Sequence, residues 1–437
     1  MKEAFLNRMK EYLGLEYDAF IKTYDDKPTR GVRLHKISKE ELQKNLDIDL
    51  EAIEYDKDGY YVNDDSKYGN SLYHHLGAMY FQEPSAMAPV NTYEFKGDER
   101  VLDLCASPGG KSSQILERIP NGILYSNEIS SKRAKILFSN LERMGFTNAV
   151  VLNETVDNLE KTFKGYFDVI LIDSPCSGEG MMRKDEEALN MWSDDNIKLC
   201  EARDKEIVRK AISMLKQDGV LIYSTCTFAK EENEDIVNYM ISELNMELLK
   251  PKEILFKYTK EGFIKNTLRF YPHLAKGEGQ FMAVLKNKNM TEETVKYKSR
   301  EKKNNEIDIV NKFIKDNLED INLNIVKRGN RYYHLISDID LSNLNVINYG
   351  IELGEVQNNR FIPYHHMFKA LGSYFKNQIV LEPTNPNIYK YLHGEEIIEE
   401  VSNGFGVIKI NNLYLGGFKA SQNHLKNYYP KGLRNPK

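Results

Sequence analysis

The chain has 437 residues, of which 41% are hydrophobic and 29% charged, and its formal net charge is −5 at pH 7. This length predicts two or three domains, and the composition is typical of a globular protein. Because no apolar run approaches the roughly 18 residues that a membrane-spanning helix needs, and because the acid-containing start is unlike a secretory signal, we expect a cytoplasmic protein without membrane contact.

Residues 1–95 open with a pattern that is typical of an amphipathic helix. Phe5, Met9, Tyr12 and Leu13 recur at the spacing that places side chains on one helix face. Short segments of mixed character follow. We expect a small α+β domain here.

Residues 96–288 alternate between strand and helix signals. Apolar runs predict strands at 101–104, 123–126, 149–152, 169–172 and 220–223. Amphipathic patterns predict helices at 112–119, 134–144, 198–215 and 235–244. Apolar strands interleaved with such helices predict a parallel sheet covered on both faces, which is the α/β, Rossmann-like class.

The rest of the chain divides into a linker and a smaller domain. Residues 289–306 are polar and lysine-rich, as linkers are, and residues 307–437 predict an α+β domain with short strands at 405–410 and 413–415. Past Glu400 the chain holds basic residues but no acidic ones. Such a tail either contacts phosphates or is simply solvated.

Four cysteines, Cys105, Cys176, Cys200 and Cys226, are spread along the chain without a close pair. This spacing favours neither a zinc site nor the disulfide framework of a secreted protein. We therefore expect reduced thiols and no bound metal.

A glycine-rich turn follows the first strand of the alternating region and opens a helix. Its glycines, Gly109 and Gly110, allow a ligand close to the backbone, and the helix start offers free N–H groups. The turn lacks G-x-G-x-x-G, and Cys105 replaces the first glycine of a triphosphate-binding loop. Glu128, at the end of the next strand, can accept hydrogen bonds from both hydroxyls of a ribose. A nucleoside cofactor is favoured over a turn that only packs helix on sheet.

Two thiols follow neighbouring strands of the predicted sheet. Asp173 and Cys176 come after the fourth strand and Cys226 after the fifth, at the edge where open α/β sheets bind ligands. A single cysteine at a strand end is more often a small buried apolar residue. Two thiols above one cofactor favour covalent attack on a pyrimidine and methylation at C5. Asp173 can face either the cofactor or the target base.

These motifs closely resemble the NOL1/NOP2/Sun family of RNA cytosine-C5 methyltransferases. The similar strings are D-L-C-A-S-P-G-G-K-S at 103–112, N-E-I-S at 127–130, D-S-P-C-S-G-E-G-M-M-R-K at 173–184, S-T-C-T-F at 224–228 and G-E-G-Q-F at 277–281. Segments 80–87, 354–363 and 426–434 extend the resemblance over nearly the whole chain, in the form of the bacterial RsmF-type branch, which acts on 16S ribosomal RNA.

The resemblance implies a cofactor and a role for each site residue. S-adenosylmethionine would lie in the loop formed by Cys105, Ala106, Ser107, Pro108, Gly109, Gly110 and Lys111. Glu128 would bind its ribose, and Asp173 would lie between cofactor and target base. Cys226 would be the nucleophile, and Cys176 the second thiol that assists product release. Thr155 stands where many relatives place an aspartate near the adenine, so Glu154 or a backbone group would take over that contact.

The resemblance also implies partners and domains. RNA would be bound by a ferredoxin-like N-terminal domain and a PUA-like C-terminal domain, and we expect a monomer. Two alternatives stay open: methylation of transfer RNA by the same chemistry, and a non-catalytic RNA-binding factor in ribosome assembly. An amino-directed methyltransferase is disfavoured, because the turn at 173–176 lacks the Pro-Pro-aromatic sequence of those enzymes.

Overall fold

A computed structural model describes residues 2–63, 66–184, 186–291 and 305–434. Most of the predicted linker, residues 292–304, and the last three residues, which include the basic Lys437, lie outside these ranges. The described residues form sheets of four, ten, four and five strands. The predicted α/β class with flanking α+β regions is confirmed. None of the described helices combines the length and apolar character needed to cross a membrane.

The N-terminal region carries a four-stranded antiparallel sheet in the order β2-β3-β1-β4. Its helices are α1 Glu3–Leu13, α2 Tyr17–Lys22, α3 Lys39–Gln43 and α4 Leu72–His75. Its strands are β1 Arg30–Leu34, β2 Leu50–Ala52, β3 Gly59–Val62 and β4 Met79–Phe81. From β1 onward the element order is the β-α-β-β-α-β of ferredoxin-like units. Helix α1 buries Phe5, Met9 and Leu13, as its spacing predicts.

The central region is built on the largest sheet. Its strands are β5 Arg100–Asp103, β6 Ile123–Asn127, β7 Ala149–Leu152, β8 Phe167–Asp173, β9 Leu215–Thr225, β10 Met246–Leu249, β11 Lys260–Glu261, β12 Leu268–Phe270 and β13 Gln280–Asn287. Its helices are α5 Gly110–Arg118, α6 Ser131–Met144, α7 Val156–Thr162, α8 Glu186–Met191, α9 Asp194–Met214 and α10 Glu234–Ser242. All five predicted parallel strands are present, as β5 to β9.

The order β7-β6-β5-β8-β9 places a topological switch between β5 and β8. The chain turns to one side after β5 and to the other after β8, so the ends of both strands border one crevice. Antiparallel β13 then pairs with β9, and β12 and β10 pair with β13. The parallel strands are buried on both faces, which explains their continuous apolar sequences.

The C-terminal region has more strands than the sequence predicts. Its helices are α11 Asn305–Asn317, α12 His365–Ala370 and α13 Pro386–His393. Its strands are β14 Ile325–Arg328, β15 Arg331–Leu335, β16 Val346–Asn348, β17 Gly350–Gln357, β18 Arg360–Pro363, β19 Gln378–Val380, β20 Ile397–Ile398, β21 Gly404–Ile410, β22 Leu413–Ser421 and β23 His424–Asn427. The two predicted strands are β21 and β22. They belong to the sheet β19-β21-β22-β23-β20, whereas β14, β15, β17 and β18 form another.

The three regions are tied together by buried polar contacts. Lys369 of α12 donates to the carbonyl oxygens of Leu76 at 2.8 Å and Tyr414 at 2.5 Å. His366 Nε2 lies 3.1 Å from the Phe146 carbonyl oxygen, in the central region. Strand β16 pairs antiparallel with β7 and so extends the central sheet. The C-terminal region therefore contributes a strand to the central sheet.

A buried ion pair beneath the carboxyl edge of the sheet offers a test of the fold. Arg269 on β12 donates to both carboxylate oxygens of Glu234, and the two side chains are 3% and 0% exposed. We expect Arg269→Met to lower the free energy of unfolding by about 3–5 kcal/mol, because it leaves a buried carboxylate without its partner. The measurement is urea denaturation followed by fluorescence of Trp192, the only tryptophan of the chain.

The double variant Arg269→Met/Glu234→Leu is the control. It removes both charges, so we expect it to recover much of the lost stability. A single variant that unfolds within about 1 kcal/mol of the original protein would show that the pair contributes little.

Candidate active site

The two thiols predicted to act together lie side by side. Asp173 at the end of β8 pairs in register with Ser224 of β9, so the segments that follow the two strands leave the sheet at the same place. The sulfur atoms of Cys176 and Cys226 are 3.2 Å apart, and both side chains are partly exposed. The sheet has brought together residues that are 50 positions apart in the sequence.

Backbone contacts fix the position of Cys226. Its carbonyl oxygen accepts from the Gly180 N–H at 2.8 Å, and the Gly180 carbonyl oxygen accepts from the Gly279 N–H at 3.1 Å. A Cβ atom on Gly180 would lie 2.6 Å from Gly279 Cα and 2.8 Å from the Cys226 oxygen. Both positions therefore require glycine, because three segments meet there.

A buried carboxylate holds the loop that carries Cys176. Glu232 is 0% exposed, and it accepts from the backbone N–H of Ser177 at 2.8 Å and from its hydroxyl at 2.5 Å. The same hydroxyl lies 2.8 Å from that of Thr227, which follows Cys226. Burial raises the pKa of Glu232 to about 7. Glu232 thus links the two cysteine-bearing segments.

Two further buried carboxylates support this loop, Asp204 from α9 and Glu179 within the loop itself. Asp204 of α9 accepts from the Ser174 hydroxyl at 2.6 Å, and burial raises its pKa to about 7. Glu179 is 0% exposed and accepts from Arg8 of α1 at 2.8 Å and from the Trp192 indole at 2.7 Å. Neither they nor Glu232 were identified from the sequence. The sequence around an acidic residue near or within a helix predicts a solvent-exposed side chain. Nothing in the neighbouring sequence indicates that these three carboxylates are buried.

Asp173 and Lys111 form an ion pair in the crevice. Lys111 Nζ lies 2.7 Å from Asp173 Oδ2, while Asp173 Oδ1 accepts from Ser224 at 2.7 Å and from Gln280 at 3.2 Å. Burial disfavours the Lys111 ammonium, but its contact with the Asp173 carboxylate, together with the nearby Asp103, holds the pKa of Lys111 above its usual value. A positive charge is therefore kept in the crevice, paired with Asp173.

The glycine-rich loop fits a nucleoside ligand with a charged amino-acid end. Gly109 has a φ of +110° and is the N-cap of α5, which begins at Gly110. At the end of β5, Asp103 is fully buried, and its Oδ1 atom has no hydrogen-bond partner while Oδ2 accepts from Ser112 at 2.6 Å. Burial raises the pKa of Asp103 to about 7. An unsatisfied buried carboxyl oxygen beside the loop is consistent with a ligand that donates hydrogen bonds there.

Glu128, which the sequence predicts to bind a ribose, is buried at the carboxyl end of β6. It follows β6, is 4% exposed, and accepts from the Ser130 N–H at 2.9 Å. Thr155 instead caps α7, accepting from the Asn158 N–H. Both Glu154 carboxylate oxygens are engaged, one by Asn158 at 2.8 Å and the other by the Asn345 N–H at 2.7 Å. The side chains of Thr155 and Glu154 are thus both engaged in hydrogen bonds within the protein.

The remaining predicted residues differ in their surroundings. Cys105 lies in the loop, where burial raises the pKa of its thiol. Cys200 is buried within α9, where burial raises the pKa to about 11. The hydrogen bond with Cys226, and then burial, raises the pKa of Cys176 well above its usual value. Within the described ranges, no three His, Cys, Asp or Glu side chains are grouped as a metal site would require.

Four family descriptions match successive parts of the chain. "16S rRNA methyltransferase RsmB/F" matches residues 90–286, and "N-terminal domain of 16S rRNA methyltransferase RsmF" matches residues 1–84. "RsmF rRNA methyltransferase first C-terminal domain" matches residues 312–371, and "Methyltransferase RsmF PUA domain" matches residues 378–435.

Curated relatives carry the name ribosomal RNA small subunit methyltransferase F. The protein of Vibrio vulnificus strain YJ016 is 30% identical over 471 aligned positions, which cover 99% of this chain and 97% of that protein. The protein of Psychromonas ingrahamii is 33% identical over 303 positions, covering 65% of this chain and 63% of that protein. The second alignment thus spans less than two thirds of its relative.

Solved structures resemble the fold. A methyltransferase homolog protein from Pyrococcus horikoshii has a TM-score of 0.58 at 25% identity, covering 66% of this chain and 95% of its own. NSun6 from the same organism, solved with SFG, has a TM-score of 0.59 at 20% identity, covering 66% of this chain and 98% of its own. At 20% identity, the similarity to NSun6 shows a common fold only.

The surroundings of the four thiols predict an order of reactivity. We expect iodoacetamide at pH 7.5 to alkylate Cys226 first, because the raised pKa values of Cys105, Cys176 and Cys200 leave few thiolates there. Peptide mass spectrometry over time measures each rate. Labelling of Cys176 ahead of Cys226 would contradict this arrangement.

Proposed function

The chain belongs to the RsmB/F family of 16S rRNA methyltransferases, and we propose that it methylates C5 of a cytosine in 16S ribosomal RNA through a covalent cysteine–C6 adduct. The observation that carries this proposal is the pair of thiols at the carboxyl ends of β8 and β9. A methyl transfer to an oxygen or nitrogen would not need a thiol, whereas ring carbon C5 must first be activated.

S-adenosylmethionine, the cofactor of this family, supplies an electrophilic methyl group when it is bound. We assign its binding to Cys105, Ala106, Ser107, Pro108, Gly109, Gly110 and Lys111, with Glu128 at the ribose. Asp103 and the N-terminus of α5 offer the polar groups that its amino-acid end requires. Asp173 borders both this loop and the thiols, so it is assigned to the boundary between cofactor and target base.

Cys226 is the proposed nucleophile. An ordinary thiol supplies only a few per cent thiolate at neutral pH, so a nearby positive charge raises the reactive fraction. We assign that role to Lys111, which Asp173 holds in the crevice. When the Cys226 sulfur bonds to C6, the ring loses its aromaticity and C5 becomes nucleophilic enough to accept the methyl group.

Cys176 is the proposed partner in product release. Because its pKa is raised, Cys176 stays a thiol at neutral pH and can donate its S–H to the Cys226 sulfur 3.2 Å away. After methylation the C5 proton passes to a water molecule, the C5–C6 double bond forms again, and the C6–S bond breaks. The Cys176 donor then stabilises the departing Cys226 thiolate.

The flanking regions are proposed to hold the RNA. A PUA domain lies within the C-terminal region, and the N-terminal sheet packs beside the crevice. We propose the boundaries 1–95, 96–288 and 307–437 for the three functional units, a monomer as the active form, and the cytoplasm as its location. RNA bound by either flank would bring an unpaired cytosine to the thiols at a cost of a few kcal/mol for unstacking.

Substitution of each thiol separates the two proposed roles. We expect Cys226→Ala to abolish methyl transfer, because no bond to C6 can form. Cys176→Ala should instead accumulate a protein–RNA adduct that survives denaturation, because the C6–S bond breaks slowly without its donor. Transfer of labelled methyl groups and denaturing gel electrophoresis measure the two effects.

Cys200→Ala is the matched control, since Cys200 is a buried thiol of α9 to which the proposed mechanism gives no role. It should leave methyl transfer near the original rate. Near-normal turnover by Cys226→Ala would rule out the assigned nucleophile, and RNA binding by the original protein without any methyl transfer would favour an assembly factor.

The RNA substrate is tested by mapping 5-methylcytosine. Bisulfite sequencing of 16S ribosomal RNA from cells with and without the gene should reveal at least one cytosine whose methylation depends on the protein. Repeating the reaction with purified protein, on both free RNA and small subunits, identifies the form that is methylated. Gene-dependent signals confined to transfer RNA would instead support the alternative substrate.

A further inference from the structure

Two adjacent buried residues, Glu232 and Asn233, have no role in the mechanism proposed so far. They stand directly before the first residue of α10, and both are 0% exposed. Asn233 is the N-cap residue of this helix, a position at which an asparagine side chain usually accepts a hydrogen bond from the first turn. It makes no such bond here. Its side chain is therefore used for contacts outside its own helix, as is that of Glu232.

Glu232 holds the segment that carries Cys176. Its carboxylate accepts from the Ser177 N–H at 2.8 Å and from the Ser177 hydroxyl at 2.5 Å. Ser177 directly follows Cys176 and is buried. Two hydrogen bonds to one buried residue fix the backbone immediately beyond the thiol. Loss of the carboxylate would take the acceptor away from both donors, which is costly for groups that water does not reach.

Asn233 holds the segment that carries Cys226 from both sides. Its Oδ1 atom accepts from the Thr225 hydroxyl at 2.6 Å, and its Nδ2 group donates to the Thr227 carbonyl oxygen at 2.9 Å. These two threonines stand immediately before and after Cys226, and both are buried. A single side chain therefore fixes the backbone on each side of this thiol.

The backbone around the two residues is anchored to the core. The Glu232 carbonyl oxygen accepts at 2.6 Å from the hydroxyl of Tyr223, a fully buried residue of β9. Glu234, the residue after Asn233, forms the buried ion pair with Arg269 of β12. Glu232 and Asn233 are thus held in place from the strands on one side and the other, so they can in turn hold the two thiol segments.

The contact between the two sulfur atoms depends on this arrangement. Cys176 and Cys226 are 50 positions apart in the sequence, yet the residues that hold their segments are joined by one peptide bond. Their spacing is therefore covalently fixed. The 3.2 Å distance between the sulfurs is maintained as long as both side chains keep their hydrogen bonds.

We propose that Glu232 and Asn233 are positioning residues of the methyl transfer reaction. Asn233 holds Cys226 where its sulfur can attack C6, and Glu232 holds Cys176 where its S–H can donate to the departing sulfur. Both side chains are 0% exposed, so they act through the cysteine segments and not on the substrate itself. The inference rests on the proposed function, because it assigns each residue to one step of that reaction.

The first test separates the two steps in a single turnover with labelled cofactor and an RNA oligonucleotide. Glu232→Ala should form the protein–RNA adduct at close to the original rate but release methylated RNA roughly 10-fold more slowly, because Cys176 is no longer held at the departing sulfur. Asn233→Ala should instead form the adduct roughly 10-fold more slowly. Glu232→Gln keeps an acceptor for the Ser177 N–H, so it should restore most of the release rate.

Glu99→Ala is the matched control for the loss of a buried carboxylate. Glu99 is 4% exposed and accepts from the backbone N–H groups of Lys96 at 2.5 Å and Gly97 at 2.8 Å. It directly precedes β5, so it lies at the opposite edge of the parallel sheet from the thiols. We expect Glu99→Ala to leave adduct formation and release near their original rates, even where it lowers stability.

Two further variants test whether Glu232 acts through Cys176. Adding Glu232→Ala to Cys176→Ala should slow release no further than Cys176→Ala alone, because the thiol that Glu232 positions is already absent. Ser177→Ala removes only the hydroxyl that Glu232 holds and keeps the N–H. It should slow release roughly 2- to 5-fold, and it serves as the test if Glu232→Ala does not fold.

The second test requires neither RNA nor cofactor. Iodoacetamide at pH 7.5 should alkylate Cys176 several-fold faster in Glu232→Ala than in the original protein. The hydrogen bond with Cys226 raises the pKa of Cys176, and a loosened segment loses that contact. Labelling of Cys105 is the internal reference and should not change. Peptide mass spectrometry over time measures both rates.

The outcomes distinguish this inference from the proposed function. If the original protein methylates RNA while Glu232→Ala releases product and labels Cys176 at the original rates, the role of Glu232 is overturned although the proposed function stands. Adduct formation by Asn233→Ala at the original rate overturns the role of Asn233 in the same way. If the original protein transfers no methyl group to any RNA, the proposed function fails, and the labelling of Cys176 still decides whether Glu232 positions that thiol.

Discussion

The parallel pairing of β8 with β9 is the constraint on which the site depends. It aligns Asp173 with Ser224, and the segments beyond them then bring the sulfur atoms of Cys176 and Cys226 to 3.2 Å. Both faces of these strands are buried, so a slip in register would misfit the side chains packed in the core layers on either side of the sheet. The core of the protein therefore positions the two thiols, although they lie on loops.

Those loops contain little regular structure, so other groups must hold them. Buried carboxylates do this: Glu232 fixes Ser177, Asp204 fixes Ser174, and Glu179 receives Arg8 from the first helix. Burying a carboxyl group is costly unless it is hydrogen-bonded, and each of the three has such partners. Through the contact of Arg8 with Glu179, the N-terminal helix α1 directly supports the loop that carries Cys176.

The sequence predicts the central region well, because buried parallel strands and amphipathic helices leave strong local signals. The glycine-rich loop, Glu128 and the two cysteines were predicted because each stands directly after a strand. Glu232 could not be found in this way, since its partner Ser177 is 55 positions away. The short strands β14 to β20 were not predicted either. Their alternation of polar and apolar residues is weak, so tertiary packing determines that these segments form strands.

Strand β16 shows what such a missed element contributes. Without it, β7 would be the exposed edge of the central sheet, with unpaired backbone groups open to other chains. Val346 and Asn348 of β16 pair with this edge. The Asn345 N–H donates a hydrogen bond to one Glu154 carboxylate oxygen. Glu154 follows β7 at the same carboxyl edge as Glu128, whose backbone oxygen accepts from Asn153 at 2.8 Å. The C-terminal region is thus joined to the end of the sheet where Glu128 and Glu154 lie. Thr155, beside Glu154, serves as the N-cap of α7.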